Sequence, residues 1–203
     1  MDATNVIFYI VILVMSIVIH EVSHGFTAEY FGDKTARHAG RLTLNPLVHL
    51  DPFGSLLLPL VLYFTTGFAF GWARPVPYNP DNLSNRKWGT VAVAGAGVAA
   101  NILIAIIFGF LICLTEGQTL PPGFYFITSS IVIINLALAI FNLVPIPPLD
   151  GSKILFSLLP RVAEPVTEFL ERYGFFLLLI FIFFFSQHLY PILAFFYRLI
   201  FAI

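Results

Sequence analysis

A short segment near the N-terminus has residue types and a spacing that could hold a metal ion. The segment His20–His24 reads His-Glu-Val-Ser-His. Residues four positions apart lie on one face of a helix, separated by about 40°. Two imidazoles at this spacing can bind one zinc ion, and Glu21 can act as a base toward water activated by that ion. The same pattern also occurs where histidines only form hydrogen bonds within a helix bundle, so the surroundings of the segment must decide.

Those surroundings are strongly apolar. The chain has 203 residues, of which 59% are hydrophobic and only 10% are charged. A charged fraction this low cannot cover a soluble surface, which excludes a water-soluble enzyme. The net charge of −1 provides no basic surface for nucleic acid. The single cysteine, Cys113, can form neither an internal disulfide nor a multi-thiolate zinc site.

The sequence predicts an all-α polytopic membrane protein with five to six membrane segments. We expect one membrane-embedded domain over residues 1–203, with a core at 6–151 and C-terminal helices at 173–203. The segment His20–His24 continues the first apolar run, where a cluster of polar residues is costly without a partner, and this favours the metal site. That run lacks a positively charged start and a cleavage site, so we expect a retained span. The apolar runs are Val6–Ile19, Phe53–Phe70, Trp88–Leu114, Phe124–Val144, Phe175–Phe185 and Leu189–Ile203.

Positive charges indicate which loops share one side of the membrane. If Phe53–Phe70 enters and leaves on the same side, nine of the ten Lys and Arg residues fall on one face, and Arg198 can join them. The positive-inside rule then makes that face cytoplasmic. A full crossing would instead separate Arg74 from Lys34. The glycines and prolines of this run also suit a re-entrant element buried in protein, so we predict a re-entrant or extended element at 53–80.

A catalytic zinc ion needs a third protein ligand and an open fourth position for water. Asp150 is the leading candidate because it nearly ends the stretch Asn142–Gly151, whose three prolines interrupt the helix. Gly151 permits tight backbone geometry after the aspartate. An ordinary turn aspartate in a proline-rich loop is the alternative interpretation. Four other residues are candidates for which we expect a solvated or interfacial role: His38, His49, Asp51 and His188.

The two motifs together resemble the site-2 protease family of intramembrane zinc metalloproteases. The first is HEVSH, and the second is N-x-x-P-x-P-x-L-D-G at 142–151. Between them, Ala96–Asn101 is similar to the family's A-G-P-x-x-N, except that Val98 replaces the proline. The chain looks like the compact branch of the family, which lacks PDZ and CBS domains. The glycines around this third motif predict close helix packing, whereas Asn101 suits either an interhelical hydrogen bond or a role near the site.

The resemblance implies a set of roles. His20, His24 and Asp150 would ligate one zinc ion per chain, Glu21 would be the general base, and Asn142 would lie near the scissile bond. The substrate would be a transmembrane protein. The enzyme would reside in the plasma membrane of a bacterium or archaeon, with its active site toward the cytoplasm.

A topological argument leads to the same arrangement. Asp150 can reach the two histidines only if the helices that carry the motifs run in the same direction. This requires one full crossing between them, which is Trp88–Leu114. The run Phe53–Phe70 must then be re-entrant or peripheral.

The predicted function is hydrolysis of peptide bonds of transmembrane substrates, as in regulated intramembrane proteolysis. The extended edge at Phe70–Pro77 could pair with an unwound substrate as an added strand. A zinc or ion transporter and a non-catalytic membrane scaffold are the alternatives. The expected partners are the substrate and the lipid bilayer, with no nucleic acid. The sequence leaves the substrate's identity and the oligomeric state open.

Overall fold

The architecture comes from a computed structural model, which describes residues 3–57, 60–61, 64, 71–115 and 118–201. Within these residues the fold is helical and contains no strand, which confirms the predicted all-α class. The helices are α1 (Ala3–Tyr30), α2 (Thr35–His38), α3 (Pro46–His49), α4 (Arg86–Leu114), α5 (Pro122–Asn142), α6 (Asp150–Leu158), α7 (Glu164–Phe184) and α8 (Leu189–Phe201).

Three of these helices are long and apolar enough to cross a membrane. They are α1, α4 and α5, and the pair α7 and α8, bent by 64° at a short break, would supply a fourth span. The integral membrane character is therefore clear from the described residues. The larger figure of five to six membrane segments stays a prediction.

The contacts between the long helices fix their relative directions. Along α1, His20 meets Asn101 and His24 meets Val93, so α4 runs antiparallel to α1. Ser16 of α1 meets Asn135 of α5, while earlier residues of the same two helices also contact each other, since the rings of Tyr9 and Phe126 pack edge to face. Helices α1 and α5 are therefore parallel, with α4 as the one crossing between them. The two motif-bearing helices thus end on the same side of the bundle.

The described residues on either side of the central part of the run Phe53–Phe70 are hydrogen-bonded to each other. Residues 58–59, 62–63 and 65–70 lie outside the described residues, whereas both flanks are described. The backbone N–H of Trp72 donates to the carbonyl of Gly54 at 3.0 Å, and the hydroxyl of Ser55 donates to the Trp72 carbonyl at 2.7 Å. Residues 54 and 72 therefore lie side by side, as a re-entrant element would require, and the predicted element itself falls largely outside the described residues. Its flanks are a π-helical turn, Pro52–Leu57, and an extended segment, residues 71–79.

A buried aspartate ties the end of α1 to the segment that precedes α4. Asp33 accepts hydrogen bonds from the N–H and hydroxyl of Thr35, from the Asn82 amide and from the N–H of Asn79. Burial disfavours its charged form, but these hydrogen bonds outweigh burial and hold the pKa of Asp33 below its usual value. The carboxylate thereby fixes where the extended segment 71–79 ends.

The C-terminal region differs from two expectations, which concern where its polar helix ends and on which side of the bundle Arg198 lies. A short polar helix ending at Gly174 would fit the charge pattern, yet α7 continues through Gly174 to Phe184. This glycine packs against Pro147 so closely that a Cβ atom would come within 2.5 Å of the proline side chain. In addition, Arg198 does not join the other nine positive residues, because Ile200 beside it contacts Gly109 in the half of α4 that is farther from the metal motifs.

Candidate metal centre

Three side chains from distant parts of the sequence meet at one point. His20 and His24 lie one turn apart on α1, and Asp150 begins α6. Oδ2 of Asp150 lies 3.0 Å from Nε2 of His20 and 3.1 Å from Nε2 of His24. All three side chains are buried, with exposed fractions of 4–7%. The convergence depends on α1 and α5 being parallel, since the chain after α5 then emerges beside the histidines.

The turn at 143–149 carries Asp150 back over α1. Its peptide bond between Pro147 and Pro148 is cis. Gly151 lies so close to the turn that a Cβ atom would collide with the carbonyl of Leu143. Only a residue without a side chain fits at this approach, which explains the glycine after the aspartate.

The outer nitrogens of both imidazoles have hydrogen-bond acceptors. His20 Nδ1 donates to Oδ1 of Asn101 at 2.6 Å, and His24 Nδ1 donates to the backbone carbonyl of Val93 at 2.6 Å. Because carbonyl oxygens only accept hydrogen bonds, both Nδ1 atoms carry the hydrogen. In its neutral form, each ring would therefore present the lone pair of Nε2 toward Asp150.

This donor set fits a zinc ion. With both rings neutral and hydrogen on Nδ1, two Nε2 lone pairs and one carboxylate oxygen would converge at one point, an arrangement that a cation stabilises. Ligand atoms bonded to zinc at about 2.05 Å and at tetrahedral angles lie about 3.3 Å apart. The measured distances of 3.0 and 3.1 Å are close to that value. Three protein ligands would leave a fourth position open for water, as in catalytic zinc sites.

Glu21 lies beside the two histidines. Its carboxylate oxygen and the ligand nitrogens of His20 and His24 all lie within 4.8 Å of one another. Oε2 of Glu21 accepts a hydrogen bond from the backbone N–H of Val76 at 2.8 Å. The carboxylate is thus held between α1 and the extended segment 71–79.

A buried arginine holds that extended segment in place. Arg41 is 5% exposed, and its Nη2 donates to the carbonyls of Arg74 at 2.5 Å and Pro75 at 3.3 Å. The segment is thereby fixed next to Glu21 rather than left as a free loop.

A cavity of about 440 Å³ opens over the metal site. Its walls include Trp72 and Ala73 of the extended segment, Phe175 and Leu178 of α7, and Asn142 at the end of α5. The cavity is mostly apolar, and the two histidines, Glu21 and Asp150 are polar groups that converge in it, which is typical of a ligand-binding pocket.

Asn142 lies on this wall but not in the metal cluster. Its Nδ2 donates to the carbonyl of Leu138 in its own helix at 2.9 Å. Its amide makes no hydrogen bond to His20, Glu21 or Asp150 among the described residues. A role near the scissile bond stays a prediction for this residue.

Several groups around the site carried no clear sequence signal. Lys153 lies one turn after Asp150, with Nζ 3.3 Å from Asp150 Oδ1 and 6.0 Å from the ring centre of Tyr78. Burial raises the pKa of Tyr78 above its usual value, so its phenol stays neutral. The carbonyl of Val93 and the N–H of Val76 are backbone groups, which any residue type would supply. Asn101, by contrast, was visible as a polar residue within a span.

Comparison with known proteins identifies close similarity to one family. The model of peptidase family M50 matches residues 111–185. The provisionally named zinc metalloprotease YwhC of Bacillus subtilis is 37% identical over 179 residues, which cover 85% of this chain and 78% of that protein. Rip2 of Mycolicibacterium smegmatis, also provisionally named a zinc metalloprotease, is 30% identical over 168 residues, covering 82% and 62% of the two chains. The similarly named MJ0611 of Methanocaldococcus jannaschii is 33% identical over 103 residues, about half of each chain. No solved structure matches the chain.

Proposed function

Because the chain belongs to peptidase family M50, the site-2 protease family, we propose that it is a zinc metalloendopeptidase. It hydrolyses peptide bonds of transmembrane proteins in or near the bilayer. The observation that carries the proposal is the approach of one Asp150 oxygen to within 3.1 Å of both His20 Nε2 and His24 Nε2. These three residues would hold one zinc ion per chain, and the names of the relatives describe those proteins as zinc metalloproteases.

The proposed mechanism assigns a task to each side chain. Zinc, when bound, would supply Lewis acidity that polarises the scissile carbonyl and makes water more acidic. Glu21 would take a proton from the attacking water and later deliver it to the leaving amine. The N–H of Val76 orients the Glu21 carboxylate for this task through its 2.8 Å hydrogen bond. Asn142, on the cavity wall, would contact the substrate near the scissile bond.

The extended segment 71–79 supports binding of an unwound substrate. The N–H groups of Trp72, Arg74 and Val76 donate to Gly54, His49 and Glu21, so alternate residues use one edge of the segment. Ala73 points its backbone to the other edge, lines the cavity and makes no hydrogen bond to the described part of the chain. A strand formed by the substrate would find its partners there.

The cellular setting follows from the same arrangement. We infer that residues 1–203 act as one membrane-embedded domain, with the metal site toward the cytoplasmic side of a bacterial or archaeal plasma membrane. Nine of the ten Lys and Arg residues lie in loops, short helices, helix ends or the first half of α7, on the metal-motif side of the bundle. The positive-inside rule makes that side cytoplasmic.

A zinc transporter and a catalytically inactive scaffold are less well supported. A transporter needs a polar route across the whole membrane, but the far halves of α4 and α5 pack through an apolar cluster around Ala105 and Val132. A scaffold does not need a carboxylate held beside the metal ligands, as Glu21 is.

Metal content provides the first test. We expect purified wild type to bind about one zinc ion per chain, and Asp150→Ala to lose most of that affinity. Asp81→Ala is the matched control, because Asp81 is an exposed aspartate that pairs only with Arg86 among the described residues. Unchanged zinc in Asp150→Ala would remove this ligand from the proposal and favour transport.

Glu21→Gln separates an enzyme from a scaffold. This variant should keep zinc but lose about 10²- to 10⁴-fold in cleavage rate, because the amide cannot accept the proton of water. Cleavage is measured on a single-span reporter protein reconstituted with the enzyme. A Glu21→Gln variant as active as wild type would contradict the proposed role of the glutamate.

A further inference from the structure

A chain of buried polar side chains leads from the first histidine across the helix bundle. Asn101 Oδ1 accepts from His20 Nδ1 at 2.6 Å, and Asn101 Nδ2 donates to Asn135 Oδ1 at 2.7 Å. Asn135 Nδ2 then donates to the carbonyl of Ile131 and to the hydroxyl of Ser16, both at 2.9 Å. Asn101 and Asn135 are completely buried, and Ser16 is 4% exposed. The chain connects α4, α5 and α1 in the apolar interior of the bundle, where unpaired amides would be costly.

We call His20, Asn101, Asn135 and the Ile131 carbonyl a relay. Every hydrogen bond in it is donated in the same direction, from His20 toward Ile131. The Ile131 carbonyl can only accept, so the amide group that faces it must be the NH₂ of Asn135. The oxygen of Asn135 then faces Asn101 and requires a donor, which fixes the NH₂ of Asn101 there. The oxygen of Asn101 is therefore left for His20, and it can only accept. Each step removes the freedom of the next amide to turn over, so the Ile131 carbonyl sets the direction at His20 through Asn135. The Asn101 Nδ2 atom also makes a long contact of 3.5 Å with the Ser16 carbonyl, which favours the same orientation and is weaker than its 2.7 Å bond to Asn135.

We propose that Asn135 and Asn101 are positioning residues that fix the tautomer of His20. They keep the hydrogen on Nδ1, so that Nε2 offers its lone pair to the metal. The inference rests on the proposed zinc site and concerns how the protein orients His20 to bind the ion. His24 needs no such relay, because its Nδ1 faces the Val93 carbonyl directly. At His20 the acceptor is a side chain that could turn over, and the second asparagine prevents this.

The relay makes a prediction about Asn135, which does not touch His20. We expect Asn135→Leu and Asn101→Leu each to weaken zinc binding by about 10- to 100-fold, the usual effect of losing a partner of a ligating histidine. The double variant should bind zinc about as weakly as Asn101→Leu alone, because both changes remove the same constraint. Affinity is measured by competition with a chelator on purified, folded protein. The visible spectrum of the Co²⁺-loaded protein should change in the same variants, since it reports the geometry of the ligands.

Two further variants separate positioning from simple packing. Ser130→Ala alters a side chain of α5 that is 2% exposed and, among the described residues, bonds only to the Phe126 carbonyl in its own helix. This variant should leave zinc affinity unchanged. Asn101→Asp places a carboxylate beside His20 that can only accept, so the relay is no longer needed. In this background Asn135→Leu should have little further effect on zinc affinity or on the Co²⁺ spectrum.

The outcomes distinguish this inference from the proposed function. Wild type that binds zinc tightly, with Asn135→Leu unchanged in affinity and spectrum, would overturn the relay and leave the metal site intact. Additive losses in the double variant, or equal losses with Ser130→Ala, would reduce the asparagines to packing residues and also overturn it. Wild type without a zinc site would overturn both proposals.

Discussion

At the scale of single residues, two glycines of α4 differ in what an added methyl group would meet. A Cβ atom at Gly97 would lie 2.6 Å from Cε1 and from Nε2 of His20, which is closer than real Cβ contacts allow. At Gly95, two positions earlier in the same helix, a Cβ atom would meet nothing within 4 Å. Gly97 is therefore the position at which α4 leaves space for the His20 imidazole. The close packing of α4 against α1 and the placement of His20 in the candidate metal site both depend on this residue.

Gly97→Ala should weaken zinc binding, while Gly95→Ala should not. The methyl group at 97 must push the His20 ring away from Asp150, and we expect a loss of about 10-fold or more, comparable to losing a partner of a ligating histidine. Gly95→Ala adds the same group to the same helix without a clash and should keep or slightly raise thermal stability, by up to about 1 kcal/mol. Chelator competition and thermal unfolding measure the two effects. Equal zinc affinity in both variants would show that the helices can separate enough to accommodate the methyl group.

The residues of the candidate metal site could be predicted because their chemistry depends on type and spacing. His20, Glu21 and His24 are adjacent in sequence, and the proline-rich stretch marked Asp150 as unusual. Backbone partners could not be predicted, since the Val93 carbonyl is available whatever residue occupies that position. The burial of His49 could not be predicted from its residue type. We expected a solvated or interfacial role, yet the residue is 1% exposed and its ring bonds to the Thr43 carbonyl.

At the scale of elements, the extended segment 71–79 has two edges with different tasks. One edge is occupied by hydrogen bonds to the protein, and Arg41 reinforces it through the carbonyl of Arg74. On the other edge Ala73 and Pro75 line the cavity, and Pro75 and Pro77 have no N–H to donate. Ala73 is consequently a main-chain donor on that edge beside the metal site. The prolines predicted an extended segment from the sequence, but which edge was free depended on the fold.

Ala73→Pro should reduce cleavage while leaving the metal site intact. The substitution removes the N–H of Ala73, and an extended backbone at Trp72 is compatible with a following proline. We expect about a 10-fold lower cleavage rate of the reporter substrate, the result of losing roughly one hydrogen bond to a bound strand. Ala73→Ser is the control, because it keeps the N–H and adds only a hydroxyl. Zinc content checks that both variants fold, and unchanged cleavage in Ala73→Pro would exclude strand pairing at this edge.

At the scale of the whole molecule, the residues of the candidate metal site meet because three helices alternate in direction. The parallel pair α1 and α5 brings both motifs to one end of the bundle, and α4 provides the return crossing. Counting positive charges predicted this arrangement, since the loops on the motif side hold nine of ten. The number of crossings in the C-terminal part could not be derived in the same way, because α7 carries charges in its first half and packs its second half against the turn at 143–149.

Chemical labelling of single cysteines tests this topology. In a Cys113→Ala background, Leu50→Cys and Arg74→Cys flank the run 53–70 at exposed positions, and Gln118→Cys marks the loop between α4 and α5. A membrane-impermeant maleimide applied to intact spheroplasts should label only Gln118→Cys, because the other two face the cytoplasm. After permeabilisation all three should react. Leu50→Cys and Arg74→Cys are expected to behave alike because the N–H of Trp72 donates to the Gly54 carbonyl, so the two flanks of the run lie together.

Labelling of Leu50→Cys and Arg74→Cys from opposite sides would mean that the run crosses the membrane. The helices that carry His20 and Asp150 would then have two crossings between them, so they would run in opposite directions and could not build one metal site.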